Sequence, residues 1–364
     1  MARIPLFSMK EFYKNKKVLI TGHTGFKGTW LSQILLNWGA EVVGVSLRPT
    51  STPNAYDAIG LEKRVTNYFS DINDLEEMRE IFVKEKPEIV FHMAAQPIVR
   101  TGYDDPIGTF STNCMGTAHI LEAIKEVKAV RGVVIITTDK VYENKEWHYP
   151  YRESDPLGGY DPYSASKAAA DIITNSYIQS FFNPEVFGIK HNTLVAIARA
   201  GNVVGGGDWA DYRLIPDVIR AIYHEGKHVE IRNPDAIRPW QHVLEPLSGY
   251  LMLAKRLYEK ETHLSQAWNF GPYNDSFVSV ASLLTEAKKA IPSFVYVVKP
   301  DMVGGHEAGI LKLDINKTSH YIGWKPRVNF EQTIALTFDW YKNYYEKKED
   351  VLEFTNKQIN AFFR

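Results

Sequence analysis

Two hydrophobic rhythms alternate along the first 200 residues. Short uninterrupted apolar runs give way to longer stretches in which apolar residues recur every three or four positions. Val18-Leu19-Ile20-Thr21 predicts a buried strand, and Leu31, Ile34, Leu35 and Trp38 mark one face of a helix that Gly39 is placed to end. Val42 to Val45 predicts a second strand, Leu75 to Lys86 a helix stopped by Pro87, and Ile89 to Met93 a strand. Thr109 to Lys128 predicts one long helix and Val133 to Ile136 a strand, followed by a helix carrying Tyr163 and Lys167 and a strand over Leu194 to Ala198. Short apolar strands alternating with helices predict an α/β fold, with a parallel sheet covered on both faces.

Past Gly201 the alternation is lost. Glycine, proline, arginine and tryptophan gather in Gly205-Gly206-Gly207-Asp208-Trp209 and Arg238-Pro239-Trp240. This predicts a smaller, irregular lobe over 201–364 after a first lobe over 1–200. Ala267-Trp268-Asn269-Phe270 reads as a strand returning to the first lobe, so the expected boundary is not a clean cut.

Composition narrows the classes. A chain of 364 residues, 45% hydrophobic, is long enough for two lobes around one cleft. A net charge of −1 gives no nucleic-acid or membrane-surface signature. A single cysteine, Cys114, excludes a disulfide framework and suits a reducing cytoplasm. Met1 to Lys17 lacks the apolar core of a secretory signal, and no apolar run approaches the roughly 20 residues of a membrane span. The eleven histidines show no H-E-x-x-H spacing, there is no C-x-x-C, and no G-x-S-x-G elbow appears, so no metal is expected.

The loop Gly22-His23-Thr24-Gly25-Phe26-Lys27-Gly28 follows a strand and opens a helix. Glycines there let a backbone approach a pyrophosphate, whose charge the helix N-terminus attracts. The bland alternative is a tight strand–helix turn. An acidic residue that would grip the adenosine ribose is missing after the second strand, where Ser46-Leu47-Arg48 stands. Arg48 suits a 2′-phosphate, an adenine face or plain solvent. Asp71-Ile72 is placed either to meet the adenine edge or, through Asp71, to cap the following helix. Ala94 and Ala95 leave room for a cofactor's nicotinamide half.

Tyr163 and Lys167 lie four apart and share a helix face. A phenol titrates near 10, and an adjacent ammonium is expected to lower it so that the phenolate can take a proton from an alcohol. That is the requirement for oxidising a sugar hydroxyl by hydride transfer. Thr138-Asp139-Lys140 ends a predicted strand and adds a hydroxyl, an acid and an amine, although by itself it could be only a polar turn.

Together these segments resemble the nucleotide-sugar 4,6-dehydratases of the extended short-chain dehydrogenase/reductase family, most closely the group acting on CDP-glucose. The similarity runs through Thr21–Gly28, Ala94-Ala95-Gln96-Pro97, Thr138-Asp139-Lys140, Asn144-Lys145-Glu146-Trp147, Gly159–Tyr163, Arg199-Ala200-Gly201-Asn202, Gly205–Trp209 and Ile231–Val243. It implies a Rossmann-like doubly wound parallel sheet binding NAD, with NADP favoured only by Arg48. It also implies a cytoplasmic homodimer, formed through Thr109–Lys128 and the Tyr163 helix, that makes deoxy sugars for polysaccharide. Tyr163 would deprotonate the C4 hydroxyl, Lys167 would hold the phenolate and the nicotinamide ribose, and Thr138 would bond the same oxygen. Asp139 would protonate the leaving C6 hydroxyl. Lys140 stands where the dTDP-glucose enzymes carry Glu. It acts as the C5 base only if neutral, and otherwise orients Asp139 or steadies the enolate. Asn202 and Arg238 match positions that contact the nucleotide diphosphate. Arg213 and Arg232 are further candidates or ordinary surface charges, and Gln96 and Arg100 would face the sugar. Trp209 and Trp240 shape the base pocket or fill the core, and His306-Glu307 has no assigned role. The rival readings are a nucleotide-sugar 4-epimerase, a dehydratase of another nucleotide sugar, an NADP-linked reductase and a non-catalytic dinucleotide sensor.

Overall fold

The computed structural model describes residues 6–223, 228–231, 233–273, 276–291, 294–299 and 309–364. Seven parallel strands form one sheet. Its first six are β1 (Lys17–Thr21), β2 (Glu41–Val45), β3 (Thr66–Tyr68), β4 (Ile89–His92), β5 (Gly132–Ile136) and β6 (Leu194–Ala200). Ala267–Phe270 adds a seventh strand beside β6, giving the order Ala267–Phe270, β6, β5, β4, β1, β2, β3. The strand order reverses between β1 and β4, and in such sheets ligands gather beyond the carboxyl ends at that point. β5 and β6 are buried at every position, which is why they read as apolar runs without alternation. Helices cover both faces, and two apolar clusters lie one on each side of the sheet: Val18, Ile20 and Val134 face one, Leu19, Val133 and Ile135 the other.

The expected single helix over Thr109–Lys128 is not one regular helix. Pro106–Phe110 and Gly116–Lys125 are joined by a π-turn at Ser111–Met115. Asn113 inside that turn accepts from the Gln96 amide and donates to the Gln96 carbonyl and the Ser166 hydroxyl, satisfying buried groups a regular turn would not reach. Beyond 201 the strands are short pairs: Val203–Val204 with Gln241–His242, Ile237–Pro239 with Phe277–Ser279, and Val229–Ile231 with Tyr296–Val298. The helix Leu244–Tyr258 packs back onto β5 and β6. No described helix is long and apolar enough to cross a membrane.

Candidate active site

A cleft of about 2230 Å³ opens over the carboxyl ends of β1, β4, β5 and β6. Its floor is the glycine loop. Gly22 has φ +75°, and a Cβ on Gly28 would fall 2.1 Å from the Gly22 carbonyl oxygen, so no other residue fits there without moving the loop. Gly25 begins the Phe26–Asn37 helix without any side-chain cap, which leaves the first-turn amides available to an anion. Thr24 bonds the Ser46 hydroxyl and donates to the Leu47 carbonyl, tying the loop to the end of β2. Ala94 and Ala95 line the cleft where β4 ends, and the Ala94 amide donates to Thr21. A dinucleotide fits this cradle.

Two expectations near the adenine end change. Arg48 lies 4.0 Å from the Phe69 ring centre and 3.6 Å from the Glu62 carboxylate, so a 2′-phosphate there would meet an acid. Asp71 does not cap the following helix. Asp74 accepts from the Glu77 amide and does so, because Asp71 instead accepts from the amide and side chain of Asn73 two residues on. Ile72 borders the cleft, but its side chain is buried against Gly116.

The catalytic candidates converge at the end of β5. Thr138 starts a short 3₁₀ turn over Asp139–Val141 and donates to Asp139. Asp139 is buried, and its second carboxylate oxygen has no partner among the described residues. Burial raises its pKa, opposed by Lys140, the Thr138 hydroxyl and Arg238. A carboxyl held toward its protonated form is suited to giving up a proton. Tyr163 sits in the first turn of the Pro162–Ser180 helix, which Asp161 caps and Pro162 opens.

The electrostatics of Tyr163 differ from the expectation. Burial dominates and pushes the phenol up to about 12, while a hydrogen bond with Thr138 and the charge of Arg213 act to lower it. Lys167 follows Tyr163 one turn along the same helix. Its ammonium donates to the Ile136 carbonyl at 2.8 Å, and burial lowers its own pKa to about 8. Arg213, a further candidate from the sequence, lines the cleft and pairs with Asp208 at 2.8 Å, with its charge felt at Tyr163.

Arg238 is buried, with Nη1 on the Ile237 carbonyl, and lines the cleft with Lys140 and Asn202. Arg100 lies over the Tyr212 ring at 5.0 Å, bridging the cleft lips. Gln96 lines the cleft, but its amide is committed to Thr109 and the Ile98 backbone. Trp209 and Trp240 border the cleft yet are almost wholly buried, Trp209 among Trp340, Tyr341 and Tyr344, so both serve chiefly as core. Arg232 and His306-Glu307 lie outside the described residues. Sequence reading missed Lys27, whose pKa burial lowers to about 8 with Lys167 and Arg213 adding to the effect. The available signal was a cation inside a glycine loop. Among the described residues no cluster of His, Cys, Asp or Glu could hold a metal ion.

The family described as GDP-mannose 4,6 dehydratase matches residues 19–337. The chain is 44% identical over 353 residues to a CDP-glucose 4,6-dehydratase of Salmonella typhimurium (strain LT2), covering 97% of this chain and 98% of that one. It is 28% identical over 356 residues to a dTDP-glucose 4,6-dehydratase of Shigella flexneri, covering 89% and 92%. Among solved structures, a UDP-glucose 4-epimerase of Thermus thermophilus in complex with NAD superimposes with a TM-score of 0.75 at 24% identity, over 90% of this chain and 99% of that one. A dTDP-glucose 4,6-dehydratase of Streptomyces venezuelae gives 0.74 at 21% identity, over 89% and 96%. Both share the fold.

Proposed function

The chain belongs to the GDP-mannose 4,6 dehydratase family, and we propose that it is a hydro-lyase converting CDP-glucose to CDP-4-keto-6-deoxyglucose and water. The observation that carries this reading is the meeting of Tyr163, Thr138 and a buried, half-unpartnered Asp139 above a dinucleotide cradle. The 44% identity over 97% of the chain to a CDP-glucose enzyme supports the substrate.

The cofactor is NAD, favoured over NADP by the acid beside Arg48. When bound it supplies an acceptor for hydride from C4 and its return to C6. Tyr163 takes the C4 hydroxyl proton, helped by Thr138 on the same oxygen and by the Arg213 charge. Lys167, fixed on the Ile136 carbonyl, orients the nicotinamide ribose. A C4 ketone acidifies the C5 hydrogen. Lys140 draws that proton in its neutral amine form, and Asp139 delivers its own to the departing C6 hydroxyl. Arg238 and Asn202, which line the cleft, hold the diphosphate. The 4-epimerase alternative needs Tyr163 but gives no work to Asp139 and Lys140.

The enzyme acts as a homodimer in the cytoplasm, within deoxy-sugar synthesis for polysaccharide. Dimerisation is supported by Ile107 (78% exposed) and Ile172 (58% exposed), with Met115, on neighbouring helical segments that pack together. The two-lobe division, 1–200 for the dinucleotide and 201–364 for the nucleotide sugar, follows from the same reading.

The test is incubation with NAD and CDP-, dTDP-, GDP- or UDP-glucose, read by mass spectrometry for loss of water. CDP-glucose should lose water without net NADH accumulation. Intact CDP-glucose would reject the proposal.

A further inference from the structure

We infer that the buried ion pair of Asp171 and Arg199 is a positioning device that clamps the Thr138–Asp139–Lys140 turn at both ends and sets it against Tyr163. This deepens the proposed function and rests on it.

The pair is a two-point fork. Arg199 Nε and Nη2 donate to Asp171 Oδ2 and Oδ1, each at 2.8 Å, and the side chains are 4% and 3% exposed. A buried pair of this kind is weak evidence for stability, since well-packed apolar side chains often serve as well, so its further contacts matter. They fall on either side of the catalytic turn. On the near side, Thr137 donates its hydroxyl to Asp171 Oδ2 at 3.3 Å. On the far side, Arg199 Nη1 donates to the Tyr142 hydroxyl at 2.8 Å, and the guanidinium lies 5.0 Å from that ring's centre. Tyr142 is held in turn by Asn269 of the edge strand, to which it donates at 2.7 Å. Residues 138–141 therefore run between two fixed points tied to one ion pair.

The same pair registers the turn against the helix. Tyr163, Lys167 and Asp171 recur every four residues on one helix face. Lys167 grips β5 at the Ile136 carbonyl, and Asp171 grips the next residue, Thr137, one turn further along. Two successive attachments leave little freedom for the strand end to slide past the helix that carries Tyr163. Asp171 and Arg199 are positioning residues, acting through the groups they hold. A misplacement of about 1 Å at reacting groups can cost on the order of a hundredfold in rate.

The test uses the full-length enzyme with NAD and CDP-glucose, and parent turnover is measured first. A parent that leaves CDP-glucose intact defeats the functional reading and the clamp with it, whereas an active parent isolates the clamp. Arg199→Lys keeps the charge but loses the fork, and should lower kcat by about 10- to 100-fold with KM changed by less than about threefold. A folded Arg199→Lys enzyme whose kcat stays within about twofold of the parent overturns the clamp, because a purely structural pair would lower the unfolding temperature and leave turnover per folded molecule intact. Should Arg199→Lys fail to fold, the double variant Thr137→Val with Tyr142→Phe decides. It leaves the ion pair in place and removes the Thr137–Asp171 bond at one end and, at the other, the Arg199–Tyr142 bond together with the Tyr142–Asn269 bond. A fall in kcat of about tenfold or more, at unchanged circular dichroism, supports the clamp, and an unchanged kcat overturns it.

Discussion

Glu245 stores a pH-dependent penalty whose size follows from its surroundings. It lies in the first turn of the Leu244–Tyr258 helix, 1% exposed, with one carboxylate oxygen accepting the Arg327 and Val328 amides at 2.7 Å. The other oxygen has no partner among the described residues. Burial outweighs those two bonds and the Arg327 charge and lifts the pKa from 4.5 to about 7. The folded pKa is raised, so the contribution is fully present below about 4.5 and is lost as pH rises through about 7. A shift of that size corresponds to roughly 3 kcal/mol by the alkaline end. Glu245→Gln keeps an acceptor for both amides and has no charge to bury. The variant should match the parent at or below about pH 4 and exceed it by roughly 3 kcal/mol near pH 8.5, about 4 °C in unfolding temperature for a chain of this length. Scanning calorimetry of both proteins across that range reads the difference. A constant offset between them at every pH would refute the reasoning.

Asp139→Asn should abolish water loss by about 10²- to 10⁴-fold, the usual contribution of a positioned acid, while oxidation at C4 persists as a transient NADH band in single turnover. Gly28→Ala forces a methyl group to 2.1 Å from the Gly22 carbonyl and should weaken NAD binding severely, as read by fluorescence titration. Arg213→Met removes a cation that lowers the Tyr163 pKa, so the rise of kcat/KM with pH should move to higher pH. The proposed homodimer predicts a dimeric mass for the parent in light scattering and a monomeric mass once Ile107→Glu and Ile172→Glu are combined.

The sheet was legible because its evidence is local. β4, β5 and β6 are buried on both faces, and that condition writes itself as unbroken apolar runs. The glycine loop was legible for the same reason at Gly28, which answers to the Gly22 and His23 backbone, although Gly22 itself is pressed by the Met93 and Ala94 backbone at the end of β4. Groups defined by distant partners were not. Spacing placed Lys167 and Tyr163 on one face, but it could not reveal that the ammonium turns to Ile136, 31 residues earlier. Arg213 read as either a diphosphate candidate or a surface charge, because its closeness to Tyr163 on another element appears only in the fold. The π-turn at Ser111–Met115 depends on Asn113 meeting Gln96 and Ser166, contacts that no helical periodicity encodes. Asp71 lost the cap to Asp74 through a choice between two acids three residues apart, which composition leaves open.

The edge strand Ala267–Phe270 reaches its place beside β6 only after more than 60 residues of intervening chain. Cutting the chain near residue 200 would not release an independent half. It would strip the hydrogen-bonding rim from β6 and bare a flat apolar border that other chains could join. Limited proteolysis near residue 200 should therefore yield fragments that stay associated, or aggregate once separated, and recombinant halves should recover activity only when expressed together.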